Sequence, residues 1–213
     1  MKHLCCFVTA FSVLMLSVTG APGAAGAAAT STTTTRSAPL IHVTIPSAVI
    51  SLGYPADWTV GQFAGLPKAT QKKLAKLNPQ LESDMAQAST VVKSSKFYAE
   101  HPVARSDLMV NVVPNGGFPT TLADFRQGIT EQFASQGATV QATSAKKIGG
   151  HTAYLVVATM TERPDATTTL TELAGQLYVP NGDGATIVTI ATTDDADGRS
   201  LMDSIIASVR SAH

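Results

Sequence analysis

Residues 148–192 read IGGHTAYLVVATMTERPDATTTLTELAGQLYVPNGDGATIVTIAT and decide the fold class. Residues 154–161 are nearly all apolar or β-branched on both faces, which predicts a strand that is covered on both sides. Residues 169–179 place Thr, Leu, Gly and Val on one face of a second strand, and residues 185–192 form a third run rich in Val, Ile and Thr. The turn at residues 180–184, PNGDG, tolerates the positive φ that a tight hairpin needs. The stretch predicts an antiparallel meander whose buried faces imply covering helices.

The segment 121–137 predicts one of these helices. Thr121 and Asp124 resemble a capping box with Asp in place of Glu, and Gly137 is placed as the C-cap. The apolar positions of this helix recur at helical spacing: Leu122, Phe125, Ile129 and Phe133.

Two further segments also predict helices. Residues 66–88 predict a helix in two pieces, restarted at Asn78 and Pro79. A last helix begins at an aspartate-rich segment, which suits the helix dipole, and ends with Arg210 in its last turn. Its buried stripe consists of Leu201, Ile205 and Val209.

Residues 40–45 and 49–54 predict two strands or one broken strand, interrupted at Pro46. The other predicted strands are a short strand that begins at Trp58, 90–98, 107–114 and an edge strand at 139–147. Residues 99–106 are predicted to form a loop.

The first 39 residues predict export from the cell. Residues 1–29 combine an early positive charge at Lys2, an apolar run at 4–18 and small-residue cleavage sites, which together predict a secretory signal peptide. The apolar run is short for a membrane span. Residues 30–39, TSTTTTRSAP, form a polar, Thr-rich linker, either a solvated tether or a glycosylated spacer. Residues 40–213 then form a single domain, and the protein is expected to be secreted or in the cell wall.

Both cysteines, Cys5 and Cys6, lie inside the predicted leader. The mature chain therefore has no disulfide, no thiolate metal site and no cysteine nucleophile. A lipoprotein signal requires a cysteine just after the apolar run, and neither cysteine lies there. We therefore expect release from the membrane rather than lipid anchoring, and no second apolar run predicts a transmembrane segment after processing.

The charges balance at 15 basic and 15 acidic residues, and removal of Lys2 with the leader leaves a net charge of −1. This argues against nucleic acid as a partner, since neutralising phosphates requires a basic surplus.

Two features are candidates for binding. Lys68, Lys72 and Lys76 recur every four residues, so they lie on one side of the predicted helix and either dock an acidic surface or form a solvated face. Trp58 is the only tryptophan, and its ring either plugs one end of the core or stacks on a ligand.

Catalytic and metal-binding motifs give no signal. The sequence contains no G-x-S-x-G elbow, H-E-x-x-H, P-loop or G-x-G-x-x-G. The histidines are widely spaced, so neither a metal nor another cofactor is predicted. Asp194, Asp195 and Asp197 suit helix capping or calcium, and capping is favoured because it needs no metal. Two carboxylates for glycoside hydrolysis exist among Glu100, Asp107 and Glu131, but nothing in the sequence pairs them.

Several short motifs occur in a characteristic order. They are YPADW at 54–58, KFYA at 96–99, LMVNVV at 108–113, IGGHTA at 148–153, and the terminal helix. Over roughly residues 40–211 the chain thereby resembles the secreted actinobacterial lipoproteins of the LpqN/LpqT type, which have a PsbP-like fold. The resemblance implies an α+β, PsbP-like α/β/α sandwich with a central, mainly antiparallel sheet and helices on both faces. It also implies an extracytoplasmic role and supplies no catalytic residues, and the chain departs from the family in lacking the lipid-bearing cysteine.

Three functions remain open from the sequence. The first is a secreted accessory or binding protein of the cell envelope without catalytic activity, whose partner is an envelope or secreted protein. The second is a carrier of an apolar or lipid ligand in a cleft between the sheet and the lysine-bearing helix. The third is a hydrolase with an unrecognised site. A deep apolar pocket favours the carrier, a buried acid–base pair in a cleft favours the enzyme, and an exposed apolar patch favours the protein binder.

Overall fold

The computed structural model describes residues 39–61, 94–101, 106–114, 117–162 and 169–212. The predicted signal peptide, nearly all of the linker and the predicted helix at 66–88 lie outside these ranges, as do Lys68, Lys72 and Lys76. The predicted domain boundaries therefore stay predictions.

Strands pair antiparallel throughout the described residues and form two sheets. The strands are β1 (Leu40–Ile45), β2 (Ile50–Pro55), β3 (Thr59–Val60), β4 (Phe97–Glu100), β5 (Asp107–Val113), β6 (Ala138–Ile148), β7 (His151–Glu162), β8 (Leu170–Asn181), β9 (Gly184–Thr193) and β10 (Arg210–Ser211). The larger sheet has the order β3-β4-β5-β9-β8-β7-β6, and the smaller one the order β1-β2-β10.

The predicted meander is confirmed as β7, β8 and β9 at the centre of the larger sheet. Its register places Val157 opposite Gly175 and Gly175 opposite Ile190. The hairpin between β8 and β9 closes where Asn181 pairs with Gly184, inside the predicted turn. The predicted edge strand is also confirmed, since β6 pairs with β7 and ends the strand order.

Two helices of the predicted pattern lie in the described residues, α1 (Leu122–Ser135) and α2 (Ala196–Ser208). The N-cap of α1 is confirmed at Thr121, because the Asp124 amide donates to Thr121 Oγ1 at 3.1 Å. The Asp124 carboxylate accepts from the Thr121 hydroxyl, at 2.7 Å, and not from the Thr121 amide as in a capping box. Gln136 is the C-cap, and Gly137 follows it with a φ of +76°. At α2, Asp195 caps the helix by accepting from the Gly198 amide at 2.7 Å.

The end of α2 differs from the prediction. The helix stops at Ser208, Val209 has extended backbone, and Arg210 belongs to β10 rather than to a last helical turn. The reason is a distant partner: Arg210 pairs with Ser51 of β2, and the Ala212 amide donates to the Val49 carbonyl at 3.1 Å. Hydrogen bonds to β2 replace those that another helical turn would have made.

The predicted end of the strand at 90–98 is also wrong. Of the described residues, strand β4 begins at Phe97 and continues through Ala99 and Glu100, which were assigned to a loop. These residues pair with β5, and Tyr98 and Ala99 are both buried. Pairing with a buried neighbour therefore outweighs the local loop signal.

Each face of the larger sheet carries a hydrophobic cluster, since side chains alternate along its strands. One cluster joins α1, through Phe125, Ile129 and Phe133, to the sheet. The other joins α2, through Met202, Ile205 and Ile206, and the smaller sheet, through Ile50 and Leu52. The predicted α+β class with its mainly antiparallel sheet is confirmed. The smaller sheet was not predicted, and a full helical layer on both faces stays a prediction.

Gly198→Ala is expected to destabilise the protein, although replacing Gly with Ala in a helix usually stabilises it. In a solvated helix, replacing Gly with Ala stabilises by about 1 kcal/mol. A Cβ at Gly198 would meet the Thr193 carbonyl oxygen and lie 2.8 Å from Thr192 Oγ1. We therefore expect Gly198→Ala to lower the free energy of unfolding by about 1–3 kcal/mol in urea titrations, as overpacking does. Ser200→Ala, at an exposed position of the same helix, is the control and should be neutral or slightly stabilising. A Gly198→Ala variant as stable as its parent would contradict the close approach.

Candidate functional site

A pocket opens between α1 and the face of the larger sheet that α1 covers. It is shallow, because the space that a water-sized sphere can reach in it is only about 20 Å³. The lining residues come from the segment before α1, from α1 itself and from β8: Phe118, Pro119, Asp124, Phe125, Ile129, Gln132 and Tyr178. The amphipathic spacing of α1 places Phe125 and Ile129 toward the sheet, so the floor of the pocket is part of the core.

Aromatic rings in mutual contact form the walls. Phe125 lies 5.1 Å from Tyr154 in a stacked geometry and 5.2 Å from Tyr178 at an angle of 67°. Phe118 also stacks on Tyr154, with the ring centroids 5.4 Å apart. The two tyrosines are register partners on β7 and β8. Because each ring is held by its neighbours at favourable aromatic distances, the walls are fixed before a ligand arrives.

The polar groups at the pocket have distinct roles. The Tyr178 hydroxyl donates to Gln176 Oε1 at 2.6 Å, and burial raises the pKa of Tyr178, so this hydroxyl keeps its proton. Asp124 is exposed at the rim. Its Oδ2 accepts from the Thr121 hydroxyl, and its carboxylate also faces solvent, where it is able to accept from a ligand. The arrangement suits an apolar group that enters between the rings, with a hydrogen-bond donor directed at the rim.

A second polar cluster lies at the opposite edge of the same face. Asp107 is only 8% exposed, and among the described residues its Oδ1 has no hydrogen-bond partner. The register places Glu100 directly opposite Asp107, so the sheet brings together two of the carboxylates that the sequence left unpaired. Burial, followed by the charges of Glu172 and Glu100, raises the pKa of Asp107 well above the ordinary range.

Tyr98 completes this cluster. Its hydroxyl donates to Glu100 Oε2 at 2.7 Å. Burial, then the nearby charge of Asp107, raises the pKa of Tyr98, so it remains a neutral donor. Asp107 lies within the sheet and outside the lining of the pocket, and we interpret the cluster as a pH-sensitive element of stability.

A histidine and an aspartate approach each other near Trp58, but at the surface. His101 Nε2 lies 3.7 Å from Asp57 Oδ2, with 28% and 55% of the two side chains exposed. Ser106 lies close along the chain, and its hydroxyl bonds to Thr192 Oγ1 at 3.0 Å. Neither His101 nor Asp57 lines the described pocket. The pair therefore does not provide the buried acid–base pair in a cleft that would favour the hydrolase.

Of the binding residues singled out from the sequence, the structure describes Trp58, and this residue does not line the pocket. Trp58 is 6% exposed and belongs to the cluster shared with α2, which confirms its predicted core position. Its role as a binding residue stays a prediction, as does that of Lys68, Lys72 and Lys76, outside the described residues. Asp195 caps α2 as favoured, and the Gly198 amide is the main cause of its lowered pKa. Within the described ranges, no group of three or more His, Cys, Asp or Glu side chains is placed to hold a metal.

Sequence reasoning missed the pocket because its walls come from three separate segments. Tyr154 and Tyr178 become neighbours only through the register of β7 and β8. The available signal was the apolar pair Phe118 and Pro119, which lies three and two residues before the N-cap Thr121. In the part of the chain that the structure describes, no helix combines the length and apolar composition that crossing a membrane requires.

No protein-family model matches the chain, and no curated protein matches it. Among solved structures, cyanobacterial PsbP (CyanoP) from Synechocystis sp. PCC 6803 is similar with 15% identity and a TM-score of 0.50, over 90% of this chain and 99% of that one. The Ran-binding protein Mog1p of Saccharomyces cerevisiae is similar with 8% identity and a TM-score of 0.50, over 83% of this chain and 97% of that one. LpqN of Mycobacterium tuberculosis, involved in cell envelope biogenesis, is 14% identical over 76% of this chain and 82% of that one, with a TM-score of 0.38.

The likeness to CyanoP and Mog1p shows the fold, which is PsbP/Mog1-like. The PsbP-like fold expected from the sequence is therefore confirmed. Membership of the LpqN/LpqT-type lipoprotein family stays a prediction.

Proposed function

We propose that this chain is a secreted accessory protein of the cell envelope that binds a protein partner and catalyses no reaction. The observation that carries the proposal is the preformed pocket between α1 and the larger sheet. Its aromatic walls, Phe118, Phe125 and Tyr178, offer a rigid apolar surface beside the rim carboxylate of Asp124. Concave apolar sites with a few polar groups are where ligands bind, and aromatic anchors dominate binding energy at protein interfaces.

The size of the pocket favours a side chain of a partner over a lipid. Ligand pockets span roughly 300–1,000 Å³, whereas the cavity volume here is about 20 Å³, which suits contact with part of one side chain and not enclosure of a lipid. A lipid carrier needs a longer cavity. The carrier of an apolar ligand is the second candidate, because the same walls accept a small apolar molecule.

The fold supports a binding role, since Mog1p with the same fold is a Ran-binding protein. The envelope location is supported by the predicted signal peptide at residues 1–29 and by the resemblance described above. The lysine row Lys68, Lys72 and Lys76 is part of the proposal as a surface that steers an acidic partner. Its effect would fade with salt, because the Debye length is about 8 Å at physiological ionic strength.

Removal of one pocket wall should abolish partner binding. The mature chain, with Phe118→Ala or without it, is used to capture proteins from an envelope extract of the native host. We expect the parent to retain a discrete partner and Phe118→Ala to lose it at least about tenfold, as truncation of a binding anchor does. Phe97→Ala is the matched control, because Phe97 is also half-buried and lies 5.4 Å from a tyrosine, Tyr54, away from the pocket.

The outcome separates the two candidates. Equal capture by the parent and Phe118→Ala would contradict the pocket as the binding site. A small apolar molecule that copurifies with the parent, and is lost with Phe118→Ala, would replace the protein partner by the carrier function.

Export is tested separately by the intact mass of the secreted protein. We expect an N-terminus near Ala28 or Thr30 without an acyl group, because no cysteine follows the apolar run of the leader. An acylated protein or a retained leader would contradict this prediction.

A further inference from the structure

The two edges of the larger sheet are unequal. At one edge, β3 has only two residues, whereas β6 at the other edge has eleven. In the described residues β6 pairs with β7 alone, so one row of its backbone donors and acceptors has no strand beside it. Proteins commonly protect an edge by shortening it, as β3 is shortened, or by placing prolines and charges along it.

Strand β6 carries little of this protection. Residues 138–145, ATVQATSA, contain no charge and no proline, and the charges follow only at Lys146 and Lys147. A bulge at Gln141 interrupts the pairing with β7, but from Ala142 to Ile148 the register is regular. Within that regular part, Ala142, Ser144 and Ala145 are exposed. The strand's own side chains are therefore uncharged from Ala138 to Ala145, whereas Arg126 of α1 reaches this stretch and donates from Nε to Thr143 Oγ1 at 2.8 Å.

We propose that β6 is an interface at which two copies of this chain pair edge to edge, antiparallel, about a two-fold axis at Ser144. In this register Ser144 faces its own copy, Thr143 faces Ala145 of the other copy, and Ala142 faces Lys146 of the other copy. This interface is independent of the proposed partner pocket.

The positions of the charges on β6 favour antiparallel over parallel pairing with a second copy of this chain. A parallel pairing would place Lys146 and Lys147 beside the same lysines of the other copy, where like charges destabilise. The antiparallel pairing separates the two copies of Lys146 by four residues, roughly 13 Å of strand, which exceeds the Debye length of about 8 Å. Small side chains then meet at the centre, and each lysine lies opposite an uncharged residue. The antiparallel pairing therefore places no two charged side chains of β6 directly opposite each other.

Charge substitutions at Ala142 test the register in solution. Sedimentation velocity of the mature chain over a concentration series should show a monomer–dimer equilibrium. Ala142→Glu places a carboxylate opposite Lys146 of the other copy at both ends and should tighten the dimer roughly two- to tenfold, whereas Ala142→Lys should weaken it by a similar factor. The same two charges at Gln127, exposed on α1, should change nothing. A parent that stays monomeric up to its solubility limit, or a dimer that responds equally to Glu and Lys, would overturn the proposal.

A disulfide tests the axis itself. Both cysteines of the sequence precede residue 30, so Ser144→Cys supplies the single thiol of the mature chain. Residues directly opposite in an antiparallel pair have Cα atoms about 4.5–5.5 Å apart, which a disulfide spans. Mild oxidation should convert Ser144→Cys to a covalent dimer at concentrations where Thr130→Cys, exposed on α1, remains monomeric. Equal crosslinking of both variants would mean that the two copies meet at another surface or collide at random. That result would contradict a two-fold axis at Ser144.

Discussion

Trp58→Ala is expected to lower the free energy of unfolding by about 3–5 kcal/mol, the range for aromatic-to-alanine changes in protein cores. The ring is 6% exposed and lies in the hydrophobic cluster that joins the two sheets and α2. Truncation therefore removes buried apolar area and leaves a cavity at the end of the core. Denaturant titration followed by circular dichroism measures the loss.

The burial of Trp58 can also be measured in the unmutated protein, because Trp58 is its only tryptophan and thus the only source of tryptophan fluorescence. Its fluorescence should be blue-shifted in the native state and should shift to the red on unfolding. Trp58→Phe, which keeps most of the apolar volume, should lose clearly less stability than Trp58→Ala. Native emission at the wavelength of a solvated indole, or a loss below about 1 kcal/mol, would show that the ring is not part of the core.

Asp107 should make the fold less stable as the pH rises, contrary to the behaviour of a paired carboxylate. Its folded pKa is raised, chiefly by burial, whereas the unfolded value is about 3.9. Between these two values the folded chain holds one proton more than the unfolded chain. The free energy of unfolding therefore falls with increasing pH, by up to about 1.4 kcal/mol per pH unit from this group, until the folded pKa is passed.

Asp107→Asn should remove this contribution, because the amide imitates the protonated acid and cannot ionise. Urea titrations of the parent and the variant from pH 4 upward should therefore diverge, with the variant gaining relative stability at each step. Asp203→Asn, at an exposed position of α2, is the control and should follow the parent. Parallel curves for the parent and Asp107→Asn would contradict a protonated Asp107 in the fold.

The elements that were predicted correctly are those whose signals are local. Strands β7, β8 and β9 have β-branched runs and a Gly-rich turn within 45 residues, and α1 carries its own cap at Thr121. By contrast, β10 has two residues, and its partner Ser51 lies more than 150 positions earlier. No local pattern separates these residues from a last helical turn. The first two strands of the smaller sheet, β1 and β2, are neighbours along the chain and were predicted, but the addition of β10 to them depends on this distant pairing.

The candidate site depended even more on long-range register. Phe118, Phe125 and Tyr178 were visible as separate aromatic residues, but the crossing of α1 over β7 and β8 is what makes them one pocket. Likewise, Glu100 and Asp107 were noted as carboxylates, and only the pairing of β4 with β5 places them side by side. The spacing of residues in the sequence indicates on which face of its own helix or strand a side chain lies. Which residues of other helices or strands it contacts depends on how these elements pair in the fold.

The central claim, that the pocket between α1 and the sheet receives a protein partner, is tested most directly by site-specific photo-crosslinking in cells of the native host. A benzophenone side chain replaces Thr120, an exposed residue next to the lining Pro119, or Gln127 on the outer side of α1 as the control. We expect one discrete protein adduct at Thr120, lost when Phe118→Ala is added, and no such adduct at Gln127. No adduct at Thr120, or the same adducts from both positions regardless of Phe118, would contradict it.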